Sequence, residues 1–183
     1  GLTRPDRWRE VPPVALTAVL RASRDHYRWV VVDAAGGWEE EGDGADTAFA
    51  PRRDGAQIAV LREADVLVIV GTADPVGIGR LVELLAVRPR TAGREIVVVT
   101  RSRSTVAGPS PAHSVREALA RFAGRTEAIV IADDPAGFDA AVLAGVPLAA
   151  AAPSSPALAG LDRLSAAVTG VEVKRSIIRG RRR

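Results

Sequence analysis

The stretch that decides the fold is Asp65-Val66-Leu67-Val68-Ile69-Val70-Gly71-Thr72-Ala73-Asp74-Pro75. Its run of β-branched and apolar residues predicts a strand, and the unbroken apolar character is typical of a strand covered on both faces. Asp74 followed by Pro75 predicts the start of a helix, because aspartate accepts first-turn N–H groups and proline fits the first helical position. The stretch therefore predicts a buried strand that turns directly into a helix.

The same succession of strand and helix recurs along the chain. We predict strands at 28–33, 65–70, 95–100 and 128–131, and helices at 14–24, 56–64, 75–86, 114–122, 135–143 and 154–168. Continuous apolar strands that alternate with helices are typical of parallel sheets. The predicted fold class is α/β, with a doubly wound, mostly parallel sheet flanked by helices.

Polar residues follow the predicted third and fourth strands, at the edge where such sheets bind ligands. Thr100 and Arg101 end the third strand, whereas Asp133, Asp134 and Pro135 follow the fourth. Asp133 and Asp134 could form a carboxylate pair for acid–base chemistry. A helix N-cap is the simpler interpretation of Asp134, because it precedes Pro135.

Asp33 is the sharpest catalytic candidate, because it ends the first predicted strand and begins an Asp-x-x-Gly turn that closes with Gly36. A carboxylate in this position can hold a magnesium ion through a water, and the glycine lets the backbone approach a γ-phosphate. The alternative is an ordinary aspartate in a strand-to-loop turn, since so short a motif is common.

A phosphate cradle is not encoded in these 183 residues. They contain no G-x-x-x-x-G-K-[S/T] loop, and the single lysine, Lys174, has no glycine-rich loop before it. Such a cradle needs the N–H groups of a glycine loop and a lysine that reaches the phosphates. We therefore expect this chain alone to bind ATP weakly and to hydrolyse none, with any such loop lying before residue 1.

The net charge of +3 combines two different regions. Residues 171–183 hold six basic residues against Glu172, a net of +5, so the remaining body carries about −2 by subtraction. A basic tail on a slightly acidic body does not indicate a nucleic-acid-binding face. Cysteine is absent, which excludes disulfides and thiolate metal sites and favours a cytoplasmic location.

The basic tail has two interpretations. Its apolar residues are spaced as on one face of a helix, which would suit a peripheral contact with the inner face of an anionic membrane or with a partner. Alternatively, it is a solvated, disordered tail, because like charges repel. The candidate contact residues are Lys174, Arg175, Ile177, Ile178 and Arg179. The predicted organisation is an α/β domain at 1–170 and a basic tail at 171–183.

These residues together resemble the MinD/ParA superfamily of P-loop ATPases, and more narrowly the CpaE-like proteins found with Tad-type pilus and secretion systems. The resemblance rests on residues 28–36, 50–55, 64–77, 100–101, 132–135 and 145–148. It covers nearly the whole chain but only the C-terminal part of such a domain. It implies a P-loop NTPase-like fold without its N-terminal P-loop portion.

The resemblance also implies residue roles. Asp33 corresponds to the magnesium-side aspartate of the family and Gly36 to its switch glycine. Thr100 stands where family members place an asparagine that reads the adenine edge, beside Arg101, and residues 133–135 would line the far side of the base pocket. The implied cofactors are ATP and magnesium in the full-length parent, with none expected for this chain alone.

Two functions are consistent with this pattern. The first is the C-terminal portion of an ATPase that acts as a nucleotide-dependent localisation or assembly switch for pilus or secretion machinery. It would be a homodimer in the parent, with assembly proteins as partners and no specific nucleic acid. The second is a non-enzymatic pseudo-ATPase or receiver-like interaction module, which the missing P-loop lysine and Thr100 both favour.

Overall fold

The computed structural model describes residues 12–34, 55–88 and 93–172. Helices and strands alternate through these residues. Their bounds are α1 (Pro13–His26), α2 (Gly55–Glu63), β1 (Val66–Thr72), α3 (Pro75–Val87), β2 (Arg94–Ser102), α4 (Ser104–Ala107), α5 (Pro111–Ala123), β3 (Ile129–Ala132), α6 (Pro135–Ala144), α7 (Leu148–Ala151) and α8 (Leu158–Thr169).

The three strands form one parallel sheet in the order β1-β2-β3, flanked by helices. In the pairing of β2 with β3, Val98 lies opposite Ile129 and Val99 opposite Val130, and an irregularity separates this register from the pair of Ser102 and Ala132. The predicted α/β class with a parallel sheet is therefore confirmed. The architecture is compatible with a Rossmann-like or P-loop-like fold.

The prediction of a strand at 28–33 is wrong. Residues 27–34 form no strand in the structure, and the side chains of Trp29 and Val30 are exposed, as is Val31, which is 93% exposed. β-branched residues favour an extended backbone, but a strand is held by hydrogen bonds to a neighbouring strand. No strand within the described ranges pairs with this segment, so its composition alone does not make it a strand.

Burial is uneven across the sheet. β2 is the most deeply covered strand: Val98 and Val99 are fully buried. In β1, Ile69 is buried whereas its neighbour Val70 is exposed, so the prediction of cover on both faces is correct for the centre of β2 and not for β1. β1 has β2 as its one neighbour in the sheet of described strands.

The chain divides into two compact units, of which unit 1 comprises Gly1–Leu67 and Glu83–Glu95. Within unit 1, α1 packs against α2, and Arg21 donates to the Glu63 carboxylate through Nη2 at 2.8 Å and Nε at 3.2 Å. This hydrogen bond lowers the pKa of Glu63. Arg24 forms an ion pair with Asp65 at 2.9 Å, which joins the helix to the start of β1.

Unit 2 comprises Val68–Val82 and Ile96–Arg183. Within it, two glycines allow helices to lie directly on strands. A Cβ atom on Gly71 would lie 2.8 Å from Cδ2 of Leu81, a buried residue of α3. A Cβ atom on Gly160 of α8 would lie 2.8 Å from the carbonyl oxygen of Val130 and 2.9 Å from Cα of Ile131 in β3.

Two short helices were not predicted. α4 replaces part of a predicted loop after β2, and α7 lies between α6 and α8. Each has four residues, too few to show a helical period in the sequence. The last helix begins at Leu158 rather than near Ser154, because the segment before it turns first, with the amide of Ser155 donating to the carbonyl of Ala152.

Candidate functional site

The three strands end together at one edge of the sheet, which we call the carboxyl edge and define by residues 72–74, 100–103 and 132–134. Backbone hydrogen bonds continue past the strand ends: the amide of Ala73 donates to the carbonyl of Thr100 at 3.0 Å, and that of Asp133 to the carbonyl of Ser102 at 2.9 Å. The polar residues predicted from the third and fourth strands therefore lie at one edge. Each of these residues belongs to unit 2.

Asp74 occupies the position expected of it, at the start of α3. Its carboxylate accepts from the amide of Gly77 at 2.9 Å and from the hydroxyl of Thr72. The hydroxyl of Thr72 and then the amide of Gly77 lower the pKa of Asp74, because both donors stabilise the ionised carboxylate. A negative charge is thus held at the positive end of the helix dipole.

Thr100 uses its hydroxyl inside the sheet. Oγ1 donates to the carbonyl of Gly71 on the neighbouring strand at 3.1 Å, and the residue is half-buried. A hydroxyl has a single proton to donate, so Thr100 could offer a ligand only its acceptor lone pairs. The predicted role in reading an adenine edge would have to use those lone pairs.

Arg101 has an unusual backbone conformation. Its φ of 55° makes it the single non-glycine residue with positive φ in the described part of the chain. The left-handed region costs an ordinary residue about 1 kcal/mol or more. Arg101 is the last residue but one of β2, within the irregularity between Val99 and Ser102, and it is exposed at the carboxyl edge. Residues held in such conformations cluster at binding sites and switch regions.

Asp133 is paired with an arginine that the sequence did not single out. Nη1 of Arg103 lies 2.6 Å from Oδ2 of Asp133, whose side chain is largely buried while that of Arg103 is half exposed. The pair joins the segment after β2 to the segment after β3.

Asp134 caps α6, which confirms the simpler of its two interpretations. Its carboxylate accepts from the amide of Gly137 at 3.1 Å, and Pro135 takes the first helical position. A Cβ atom on Gly137 would lie 2.2 Å from Oδ2 of Asp134, so a side chain at this position would require the carboxylate to shift. Asp133 and Asp134 therefore have separate partners and do not act as one acid–base pair.

The remaining candidates lie elsewhere. Asp33 is exposed at the end of the irregular segment in unit 1, and Gly36 lies outside the described residues, as do Lys174, Arg175, Ile177, Ile178 and Arg179. Within the described residues, no three histidine, aspartate or glutamate side chains come together as a metal would require. Asp33 is thus not part of such a cluster in that part of the chain.

A second polar feature lies within unit 1. An open recess of about 300 Å³ is lined by Arg24, Arg62, Glu63, Ala64, Asp65, Gly93 and Arg94. Its charges serve the packing of α1 on α2, since Arg24 bonds Asp65 and the carbonyl of Glu63. The amide of Arg94 donates to the carbonyl of Asp65 at 2.9 Å, so the recess surrounds a backbone junction.

Outside the ion pair of Arg103 with Asp133, the carboxyl edge offers one exposed cation, Arg101, between two helix N-termini that each carry an aspartate cap. Its carboxylates are all engaged in hydrogen bonds or an ion pair, so the arrangement suits recognition of a ligand better than proton transfer. The missed residue of this edge is Arg103. Two signals in the sequence could have identified Arg103: it lies one residue beyond β2, and its charge is opposite to that of Asp133.

Comparison of the sequence with protein-family models and with curated proteins yields no match. In the part of the chain that the structure describes, no helix is both long enough and apolar enough to cross a membrane.

Proposed function

We propose that this chain is the C-terminal portion of a nucleotide-dependent switch of the MinD/ParA type, with a doubly wound, P-loop NTPase-like domain. The observation that carries the proposal is the convergence of Thr100, Arg101, Asp133 and Asp134 at the carboxyl edge. Open α/β sheets bind ligands beyond the carboxyl ends of their strands. The edge would face the base and ribose of the nucleotide.

The charges at the edge favour the base and ribose side over the phosphate side. Asp74 and Asp134 already occupy the N-termini of α3 and α6, so a phosphate there would meet a carboxylate. Arg101 is the exposed cation of the edge, and a guanidinium can stack on the face of a base. The phosphates would be held elsewhere, by a glycine-lysine loop that these residues do not contain.

In the parent, Asp33 and Gly36 would report the state of the nucleotide, and the protein would act as a homodimeric switch for pilus or secretion machinery.

Titration of the ¹⁵N-labelled 183-residue chain with adenosine and with MgATP tests this proposal. We expect amide shifts at residues 100–103 and 133–134, with similar dissociation constants on the order of 1 mM for both ligands, because the phosphates find no cradle. Arg101→Ala should weaken both titrations at least about threefold. Arg121→Ala, an exposed arginine of α5, is the matched control and should leave both unchanged.

A second candidate function is a non-enzymatic interaction module. It is favoured by the internal pairing of the edge: Thr100 donates to Gly71, Asp133 binds Arg103, and both helix caps are filled. Absence of shifts at residues 100–103 with either ligand would support this function and contradict the switch. Micromolar binding of MgATP by the chain would contradict the module.

A further inference from the structure

The outward face of α6 is apolar. The helix buries Gly137 and Ala141, and on its other side Phe138, Val142 and Leu143, with Val146 just beyond its end, are 40%, 80%, 89% and 41% exposed. We call these four residues the α6 patch. Together they expose on the order of 500 Å², the size at which a patch on a soluble protein commonly marks an interaction site.

The sequence around the α6 patch carries almost no charge. Charged residues make up 26% of the chain, yet residues 135–161 contain one, Asp139. Asp139 lies on the exposed side of α6, one residue after Phe138 and three before Val142. An occupant that places apolar groups on the patch and a cation beside Asp139 would match this surface in both respects.

The size of the α6 patch bears on what can occupy it. A stable dimer buries about 800 Å² on each partner, more than the patch provides, and two copies facing each other would also bring together two Asp139 carboxylates. One short amphipathic segment needs only an area of this order. Its apolar residues would be spaced by three or four, with basic residues between them.

The basic tail of the chain has this composition. Residues 171–183 combine Val173 and Ile177, four residues apart, and Ile178 with a net charge of +5. Its basic side chains would find a partner in Asp139, the one charged residue of the stretch 135–161. The rest of the chain carries a net charge of opposite sign, about −2, by subtraction from +3.

The tail begins in the same compact unit as α6. α8 packs against β3, the strand that leads directly into α6, and both helices belong to unit 2. α8 ends at Thr169, and Gly170 with a φ of 73° turns the chain as its amide donates to the carbonyl of Ala166. The eleven residues after Glu172 can span up to about 36 Å when extended, enough to reach neighbouring surfaces of a unit this small.

We propose that the basic tail, residues 171–183, docks on the α6 patch of its own chain. Val173 and Ile177 cover Val142 and Leu143, and the basic residues between them lie beside Asp139. This places an intramolecular contact where the sequence predicts a free tail for a membrane or a partner. The docked tail is withheld from such contacts, so the patch acts as an internal competitor for it.

Disulfide trapping in the full chain tests the docking. The protein has no cysteine, so Leu143→Cys with Ile177→Cys introduces a single possible pair. In a glutathione redox buffer we expect the intramolecular disulfide to form at least about tenfold more readily than in the control pair Phe122→Cys with Ile177→Cys. Phe122 is also apolar and exposed, but it lies on α5 beside Arg121.

The charge of Asp139 is tested in the same cysteine pair. Asp139→Lys should lower trapping to the level of the control pair, whereas Glu127→Lys, the same charge change at another exposed site, should leave it unchanged. Circular dichroism establishes that each variant folds. Equal trapping at positions 122 and 143, indifference to Asp139→Lys, or disulfides found only between chains would each overturn the proposal.

Discussion

Replacing Gly160 with alanine should destabilise the protein, although alanine is the better helix former. Gly160 is the third residue of α8, and its added Cβ would lie 2.8 Å from the carbonyl oxygen of Val130, 2.9 Å from Cα of Ile131 and 2.9 Å from its Cγ1. Two of these three atoms belong to the backbone of β3. The helix must therefore move away from the strand, because no side-chain rotation relieves those contacts.

The magnitude follows from two opposing terms. Overpacking of a well-packed contact costs about 1–3 kcal/mol. The higher helix propensity of alanine recovers roughly 1 kcal/mol. Their difference is a net loss of up to about 2 kcal/mol in the free energy of unfolding. With an m-value of roughly 2 kcal/mol/M, the urea midpoint should fall by up to about 1 M.

Gly79→Ala in α3 is the matched control, since a Cβ atom there meets nothing within 4 Å. The same substitution should raise the free energy of unfolding by about 0.5–1 kcal/mol. Urea unfolding at 25 °C, followed by circular dichroism at 222 nm, measures both variants. A rise in the midpoint of Gly160→Ala like that of Gly79→Ala would refute the close packing of α8 on β3.

Three further predictions follow from the described contacts. Asp74→Ala should lower stability at pH 7, and the difference from wild type should narrow in acid. The folded-state pKa of Asp74 is lowered, so its contribution is complete above the unfolded-chain pKa and is lost as pH falls through the folded one. Thermal unfolding over that pH range measures the stability difference between wild type and Asp74→Ala. A difference that does not change with pH would contradict the role of the Asp74 carboxylate as the cap of α3. Leu119→Ala should lower the free energy of unfolding in urea by about 2–5 kcal/mol, because the side chain is fully buried in α5. A decrease below about 1 kcal/mol would contradict that burial. Arg101→Gly should raise the free energy of unfolding by up to about 1 kcal/mol, since glycine accepts a φ of 55° without strain, while it weakens adenosine binding in the titration; a loss of stability would argue against strain at this residue.

The local parts of the fold were predictable where one dipeptide determines the backbone. Asp74-Pro75 and Asp134-Pro135 fixed the starts of α3 and α6, and the apolar runs fixed the three strands of the sheet. These features depend on neighbouring residues alone. The segment at 28–33 has the same composition as a strand, but its conformation depends on a pairing partner that the local sequence cannot specify.

The candidate site was predictable in position and not in detail. The parallel sheet brings Thr100, Arg101 and Asp133 to one edge by topology. The ion pair of Arg103 with Asp133 and the positive φ of Arg101 depend on how the segments after β2 and β3 meet, which no spacing in the sequence encodes. The sequence placed Asp33 at the end of a predicted strand. Because that strand does not form in the structure, the sheet topology gives no position for Asp33 relative to these residues.

The uncharged surface around α6 also determines which chemical probes can report on it. Trypsin cuts after arginine and lysine, and residues 126–163 contain neither before Arg163, so that one peptide carries β3, α6 and α7 intact. Amine-reactive labels find no lysine on α6 itself, because the single lysine of the chain is Lys174, in the basic tail. Chymotrypsin cuts after phenylalanine and leucine, so cleavage at Phe138 and Leu143 reads directly whether that surface is covered.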